Sequence, residues 1–332
     1  MRTENELKRL LNDRYGMELK EAIKSQIGAG LDTYFITCDS GKYVIKFPSI
    51  SSMNNPETEP PLCEFLRKKG IHVSEFIRNK EGEFLSQDTT GRMFHLQRFV
   101  EGKVYELNTA PEWVMRESAS TLGKIHTALM EYHGLPEGIG QNFFHFMTPE
   151  RAQKSYMATL EKARQKKDAK IEEDLIYRLQ FLKHFPEQHF DLNQLSMRST
   201  HGDYFISQLI CGENSIHAVI DWTMACMHPA VWEIIRSFVY GDSDCRNGEI
   251  VIPKFIAYVK EYLKYATLTH YDLITMPRLF CYQIAVCDYY NQYYESVADN
   301  REIYLGQAVF STKLMRWFEA HMEELVEEMK KL

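Results

Sequence analysis

The spacing of hydrophobic residues changes near residue 101. Before it, apolar and polar residues alternate in short runs, and two of these, residues 33–37 and 43–47, flank the turn sequence CDSG. Such a pair predicts a β-hairpin. Three more short runs, HVSEFIRN, EGEFLSQD and RMFHLQRFV, predict three further strands. These strands predict a small mixed sheet. The same part of the chain also predicts a first helix over residues 4–15 and a second helix that ends at Gly70.

The rest of the chain has a helical pattern with one interruption. Apolar residues recur three and four positions apart over residues 111–132, 149–164 and 171–185, and from residue 229 to the end. Residues 200–221 form a β-rich island between these helices. We therefore predict an α+β protein with two lobes, residues 1–101 and 102–332. A length of 332 residues also exceeds that of a typical single-core domain.

Composition and charge narrow the class of protein. The net charge of −7 argues against general nucleic-acid binding, which favours a basic surface. The chain starts with a charged segment, and it has no apolar stretch long enough to cross a membrane. Its seven cysteines are scattered, without a C-x-x-C pair. We expect a cytoplasmic protein without membrane or nucleic-acid partners, and the sequence does not predict its oligomeric state.

The β-rich island contains the residues best suited to chemistry. Asp203 and Asp221 flank two apolar runs that are joined by the turn sequence CGENS. If these runs pair as a hairpin, both aspartates lie at its open end, close to Gln208. Carboxylate and amide oxygens suit Mg²⁺, and one carboxylate could accept a proton from a hydroxyl group. The alternative is that Asp203 caps a turn and Asp221 ends a strand, and the hairpin geometry alone does not separate the two.

The motifs of the island resemble the catalytic segment of the aminoglycoside phosphotransferase family, which includes choline kinase-like and homoserine kinase-like enzymes. The family pattern is H-G-D-x-x-x-x-N, a hairpin and I-D-[WF]; here it is HGDYFISQ and VIDW. The sequences TLGKIHTAL and IDWTMACMHPAVWE, with its acidic Glu233, also resemble family segments. Upstream, IGAGLDTYFIT and GKYVIKF are similar to the nucleotide loop and the strand after it. The resemblance implies a two-lobed protein-kinase-like fold, with a small mixed-sheet N-terminal lobe and a larger, mainly helical C-terminal lobe.

The resemblance also implies a reaction and its central residues. The family transfers the γ-phosphate of ATP to hydroxyl groups of small molecules. Asp203 would be the catalytic base, and Asp221 and Gln208 would hold Mg²⁺. Gln208 departs from the family's asparagine by one methylene, which Mg²⁺, with its strict octahedral geometry, would accommodate by a shift or through water.

Further residues would contact ATP. Gly28 and Gly30 would let backbone N–H groups approach the phosphates. Lys46 would contact the phosphates, with Glu59 as its ion-pair partner. The adenine would bind backbone groups of the connection at residues 97–100, with Gln97 and Phe99 as contacts. Glu64, further along the same helix, is the alternative partner of Lys46.

The acceptor is less defined than the reaction. We expect a sugar, aminoglycoside, amino alcohol or similar metabolite, bound in the last hundred residues. Acidic residues outnumber basic ones from Glu233 onward, which favours a neutral or cationic alcohol. The segment CDYYNQYYES presents tyrosines one helical turn apart beside Asp288, which either bind the acceptor or pack in the core. Two alternatives remain: a protein Ser/Thr kinase of the same superfamily, or a catalytically weak member that serves as a binding or structural protein.

Overall fold

A computed structural model describes residues 2–25, 32–48, 56–136, 147–184, 190–296 and 298–332. Ten helices are present in these ranges: α1 Glu4–Tyr15, α2 Glu59–Lys68, α3 Glu112–Ala128, α4 Pro149–Lys166, α5 Ala169–His184, α6 Ala230–Gly241, α7 Ile252–Leu263, α8 His270–Val286, α9 Tyr289–Glu295 and α10 Ala298–Met329. The strands there are β1 Leu19–Lys24, β2 Asp32–Cys38, β3 Gly41–Phe47, β4 Phe76–Ile77, β5 Leu85–Gln87, β6 Met93–Arg98, β7 Met197–Thr200, β8 Leu209–Cys211, β9 Ile216–Val219 and β10 Cys226–Pro229.

The chain divides into two compact units. The first consists of Met1–Val104, Ala128–Leu135 and Ser207–Ala225, and the second of Tyr105–Thr127, Pro136–Ile206 and Cys226–Leu332. The first unit thus includes two segments from later in the chain, one of which contains the hairpin of β8 and β9. A lobe boundary between residues 101 and 102 stays a prediction.

The sheet of the first unit has the strand order β1-β2-β3-β6-β4, with β5 also paired to β6. The fold class matches the predicted α+β class, but the named strand pairs of this sheet are all antiparallel where the sequence predicted a mixed sheet. Short turns account for the antiparallel pairs β2–β3 and β5–β6, whereas β3–β6 and β4–β6 join strands that are farther apart in the sequence. One face of the sheet packs with apolar residues of α1, namely Leu7, Leu10 and Leu11.

The second unit is mainly helical. The antiparallel pair of β7 and β10 lies at the start of α6, a helix whose apolar residues are nearly all buried. Gly123 of α3 permits a close approach, because a Cβ atom there would lie 2.7 Å from the backbone oxygen of Tyr262. In the described ranges, no helix is long and apolar enough to cross a membrane.

Candidate active site

The hairpin of β8 and β9 forms as the sequence predicts. Leu209 pairs with Val219, and the N–H of Ile220 donates to the backbone oxygen of Gln208 at 2.9 Å. Gln208 and Asp221 therefore lie at the same end of this hairpin, within the first unit. Asp203 belongs to the second unit, so the prediction that it shares this end stays a prediction.

Asp221 has a backbone conformation that few side chains adopt. Its φ is 64° and its ψ is 65°, in the left-handed region, where aspartate is one of the better-tolerated residues after glycine. Its Oδ1 accepts a hydrogen bond from the Thr223 hydroxyl at 3.0 Å. Strained backbone of this kind concentrates at functional sites. Among the described residues, no cluster of three or more His, Cys, Asp or Glu could hold a metal ion. A Mg²⁺ site that uses one carboxylate, one amide and phosphate oxygens does not require such a cluster.

Glu59 is fully buried at the first position of α2. Its Oε1 accepts the N–H of Trp222 at 3.1 Å, and within the described part of the chain its Oε2 has no hydrogen-bond partner. Burial raises the pKa of Glu59 to about 7; Lys46 acts to lower it, and Asp221 adds to the increase. These interactions show that Glu59, Lys46 and Asp221 are electrostatic neighbours within the first unit.

Lys46 lies on β3 and pairs across the sheet with Thr33 and His95. Its neighbours Ile45 and Phe47 are buried on the opposite face, as the alternation predicts. No ion pair within 4.0 Å joins Lys46 to a carboxylate among the residues that the structure describes. Lys46 nevertheless acts to lower the pKa of Glu59.

The alternative partner Glu64 forms other ion pairs. It pairs with Arg78 at 3.3 Å and with Lys68 at 3.8 Å, at the surface of the unit. Of the two glutamates, the structure thus brings Glu59 close to Lys46. Gly28 and Gly30, the predicted phosphate-contacting glycines, lie outside the described residues.

The predicted adenine-contacting residues lie at the C-terminal end of strand β6. Gln97 is buried, and its Nε2 lies 3.4 Å from Nδ1 of His95. His95 stacks on Phe76, and burial followed by the charge of Lys46 lowers its pKa to about 3. The N–H of Phe99 donates to the backbone oxygen of Lys42 at 3.1 Å. Gln97 therefore faces the interior near Lys46, while the Phe99 backbone continues the sheet pairing.

In the second unit, a buried carboxylate holds the loop of Asp203 through its backbone. Oε1 of Glu233 accepts the N–H of Gly202 at 2.6 Å, and Oε2 accepts the N–H of His201 at 3.3 Å. The N–H of Asp203 donates to Nδ1 of His201 at 3.2 Å, so His201 holds the loop through its backbone. Gly202 has a φ of 78°, which favours glycine at this position.

Glu233 is itself fixed from its other side. His126 Nε2 lies 2.9 Å from Glu233 Oε2, and its Nδ1 lies 2.9 Å from the Tyr262 hydroxyl. Burial acts to raise the pKa of Glu233, but the hydrogen bond from His126 and the nearby imidazoles of His126, His201 and His228 outweigh it and lower the pKa overall. The side chains of Glu233, His126 and Tyr262 are buried, which makes this network an internal support for the loop.

The carboxylate of Asp203 is partly exposed, unlike the buried residues that hold its loop. Its side chain is 31% exposed, while the flanking His201 and Tyr204 are fully buried. Oδ1 of Asp203 lies 2.8 Å from Nη2 of Arg236 on α6. The sequence motifs do not identify Arg236 as a functional residue. A charged residue three positions after Glu233 in an otherwise apolar helix was the available signal.

The tyrosine segment has several roles. Tyr290 is buried and donates to Asp174 at 2.7 Å, so it belongs to the core. Asp288 caps α9, accepts the N–H of Asn291 and also pairs with the Ser155 hydroxyl. Tyr289 differs from both, because its hydroxyl is an electrostatic neighbour of Arg236. The core alternative therefore applies to Tyr290, and the Asp288 carboxylate is used as a helix cap.

The family model for the phosphotransferase enzyme family matches residues 25–299, and the chain belongs to that family. It is accordingly an enzyme of the phosphotransferase class. Solved structures with similar folds include an amicoumacin kinase in complex with AMP-PNP, Ca²⁺ and Ami, which has a TM-score of 0.64 at 13% identity over 94% of this chain and 93% of that one. No curated protein matches the sequence.

Two further structures have the same fold. A spectinomycin phosphotransferase in complex with ADP and spectinomycin has a TM-score of 0.56 at 15% identity, over 99% of this chain and 98% of that one. A choline kinase from Streptococcus pneumoniae has a TM-score of 0.51 at 15% identity, over 93% and 98%. These findings confirm the family and the fold that the motifs resembled.

Proposed function

We propose that the protein transfers the γ-phosphate of ATP, with Mg²⁺, to a hydroxyl group of a small molecule. The observation that carries this proposal is the contrast at Asp203: its carboxylate is accessible, while the loop that bears it is anchored from inside by fully buried Glu233. A rigid loop that presents one accessible carboxylate suits a residue that orients a hydroxyl and accepts its proton.

The first unit supplies groups that suit a nucleotide and a divalent cation. Asp221 and Gln208 would hold Mg²⁺, since both offer oxygen donors at one end of the hairpin. When bound, Mg²⁺ would neutralise charge on the phosphates of ATP. Lys46 would contact these phosphates, and Glu59 would orient Lys46. The contacts of Gly28 and Gly30 with phosphate, and of Gln97 and Phe99 with adenine, complete the proposed nucleotide site.

Asp203 would carry out the step that involves the acceptor. It would accept a hydrogen bond from the hydroxyl group, align its oxygen with the γ-phosphate and take the proton as the new P–O bond forms. The bond between the γ-phosphorus and the bridging oxygen of ADP breaks in the same step. Most of the rate enhancement then comes from positioning and charge neutralisation.

The solved neighbours support the nucleotide and the substrate class. One neighbour was solved with AMP-PNP and Ca²⁺ and another with ADP, and the three enzymes are an amicoumacin kinase, a spectinomycin phosphotransferase and a choline kinase. We propose a sugar, aminoglycoside, amino alcohol or similar metabolite as the acceptor here. All seven cysteines are free, which supports the proposed cytoplasmic location.

The proposal is tested by coupled ADP release from Mg·ATP. The acceptors are aminoglycosides, spectinomycin, choline, ethanolamine, homoserine, methylthioribose and common hexoses, with a protein substrate included to test the protein kinase alternative. We expect one small-molecule acceptor to stimulate ADP release in the wild type and Asp203→Asn to reduce that rate to background. Asp203→Asn should still bind ATP in calorimetry, whereas Asp221→Ala should lose Mg·ATP binding.

The outcomes separate the alternatives. Full transfer by Asp203→Asn would refute the role of Asp203, and normal Mg·ATP affinity in Asp221→Ala would refute that of Asp221. Phosphate incorporation into the protein substrate alone would favour a protein kinase. A wild type that neither binds ATP nor releases ADP would favour the binding or structural role.

A further inference from the structure

One face of helix α6 contacts the Asp203 loop at two levels. Glu233 and Arg236 are three positions apart, so their side chains project from the same side of the helix. Glu233 accepts N–H groups of the loop backbone, and Arg236 pairs with the side chain of Asp203 at 2.8 Å. The backbone and the carboxylate are thus fixed by adjacent turns of one helix.

Arg236 is held in place by aromatic rings as well as by its ion pair. Its guanidinium carbon lies 4.5 Å from the ring centre of Phe205, 5.1 Å from that of Trp232 and 5.6 Å from that of Tyr240. Its side chain is 18% exposed, and within the described part of the chain its buried Nη1 has no hydrogen-bond partner. Aromatic faces attract the cation at such distances, so the rings fix the plane of the guanidinium group.

The guanidinium group of Arg236 stays charged although it is largely buried. Burial opposes the charge of Arg236, yet Asp203 and then Tyr240 raise the pKa of its guanidinium above the ordinary value. A charge retained in a largely buried setting needs a close counter-ion. The counter-ion is the proposed catalytic carboxylate itself, which gives the arginine a function beyond packing.

We propose, on the premise that Asp203 receives the proton of the acceptor, that Arg236 is a positioning residue for this carboxylate. The two oxygens of a carboxylate are coplanar, so holding Oδ1 at Nη2 restricts the direction of Oδ2. Because Phe205, Trp232 and Tyr240 fix the guanidinium plane, they also fix the orientation of the carboxylate that is paired with it. The helix thereby aims the group that aligns the acceptor hydroxyl.

The test compares chemical rescue of Arg236→Ala by two planar molecules of the same shape. The variant lacks the guanidinium group inside the aromatic cluster. Guanidinium chloride restores shape and charge, whereas urea restores shape alone. Both are added well below denaturing concentrations, with sodium chloride as the ionic-strength control. The assay is ADP release from Mg·ATP, with water and with the acceptor panel, alongside calorimetry with ATP.

We expect Arg236→Ala to lower the turnover rate by about 10- to 100-fold, since misplacement of a general base has effects of this size, while the Kd for ATP stays within about twofold. Guanidinium should recover a large part of the rate and urea should not. Arg236→Lys, which keeps the charge but not the plane, should lie between Arg236→Ala and the wild type.

Three results would overturn the inference. They are a turnover rate of Arg236→Ala within about twofold of the wild type, equal recovery by urea and guanidinium, and a parallel loss of ATP affinity. If Arg236→Ala does not fold, Arg236→Lys decides, since an unchanged rate in that variant would exclude an orienting role. The proposed function fails separately, when Asp203→Asn is active or when the wild type releases no ADP.

Discussion

The buried carboxylate of Glu59 should make the ligand-free protein less stable as the pH rises from acidic to neutral. Burial raises the pKa of Glu59 from 4.5 to about 7 in the folded chain. Its Oε1 accepts the N–H of Trp222, which glutamine would also do through its amide oxygen. Glu59→Gln therefore removes the ionisation while it keeps this hydrogen bond and the shape of the side chain.

The magnitude follows from the difference between the folded and unfolded pKa values. A difference of about 2.5 pH units corresponds to about 3 kcal/mol, at about 1.36 kcal/mol per unit. Between pH 4.5 and 7 the folded chain binds more protons at Glu59 than the unfolded chain does. The free energy of unfolding therefore decreases as the pH rises through this window and levels off above about 7.

Two buried histidines act in the opposite direction. Burial lowers the pKa of His95 from 6.5 to about 3 and that of His228 to about 4. The unfolded chain binds more protons at these groups below pH 6.5, so they reduce stability as the pH falls. Both remain in Glu59→Gln. The difference between the variant and the wild type at each pH thus isolates the contribution of Glu59.

The assay is urea unfolding of the ligand-free proteins at pH 5, 6, 7 and 8, followed by far-UV circular dichroism. We expect the stability of Glu59→Gln relative to the wild type to increase by about 2 to 3 kcal/mol across this range, because part of the titration lies below pH 5. Glu64→Gln is the matched control, since its ion pairs are exposed and contribute about 1 kcal/mol or less. A difference between Glu59→Gln and the wild type that stays constant over this range would refute the reasoning.

Three further predictions concern the second unit. Gly202→Ala should lower the free energy of unfolding by about 1–2 kcal/mol, because alanine disfavours the positive φ, and it should also abolish ADP release. Gly82→Ala is the control: its φ is 87° and no atom lies near its Cβ position, so it should lose stability but keep ADP release. Glu233→Gln places an amide N–H group against the N–H of Gly202 or against His126. The variant should therefore lose about 2–3 kcal/mol of stability in urea unfolding and should not release ADP. Wild-type stability would contradict this prediction. Arg178→Met should cost at least about 3 kcal/mol because its buried guanidinium donates to several groups, while exposed Arg316→Met should cost under about 1 kcal/mol; equal effects would contradict the difference in burial.

Local sequence signals predicted the hairpins of the structure but not all of its strands. The pairs β2–β3 and β8–β9 have alternating or apolar runs around Gly-containing turns, and both form. Strand β1, Leu19–Lys24, was not predicted. Its sequence LKEAIK buries only one residue fully and is rich in helix-favouring residues, so its pairing with β2 determines its conformation.

The same distinction applies to the candidate site. Lys46, Asp203 and Asp221 are recognisable because their flanking motifs are continuous in sequence. The orientation of Asp203 is not, because its partner Arg236 lies on another element. Part of the aromatic cluster could be predicted from the sequence, because Trp232 and Tyr240 lie four positions before and after Arg236. The contacts from the Asp203 loop depend on the tertiary fold.

The composition of α6 connects these observations. Three polar side chains occur in its sequence AVWEIIRSFVYG before the C-terminal glycine: Glu233, Arg236 and Ser237. The Ser237 hydroxyl lies 2.8 Å from that of Tyr258, and both charged residues contact the loop at residues 201–203. Charged groups in a buried helix are costly unless each has a partner. The loop provides those partners, and the helix in turn fixes the loop. Stability of this unit and the orientation of Asp203 therefore depend on the same contacts, which is why substitutions at Glu233 and Arg236 must be read by turnover and by unfolding together.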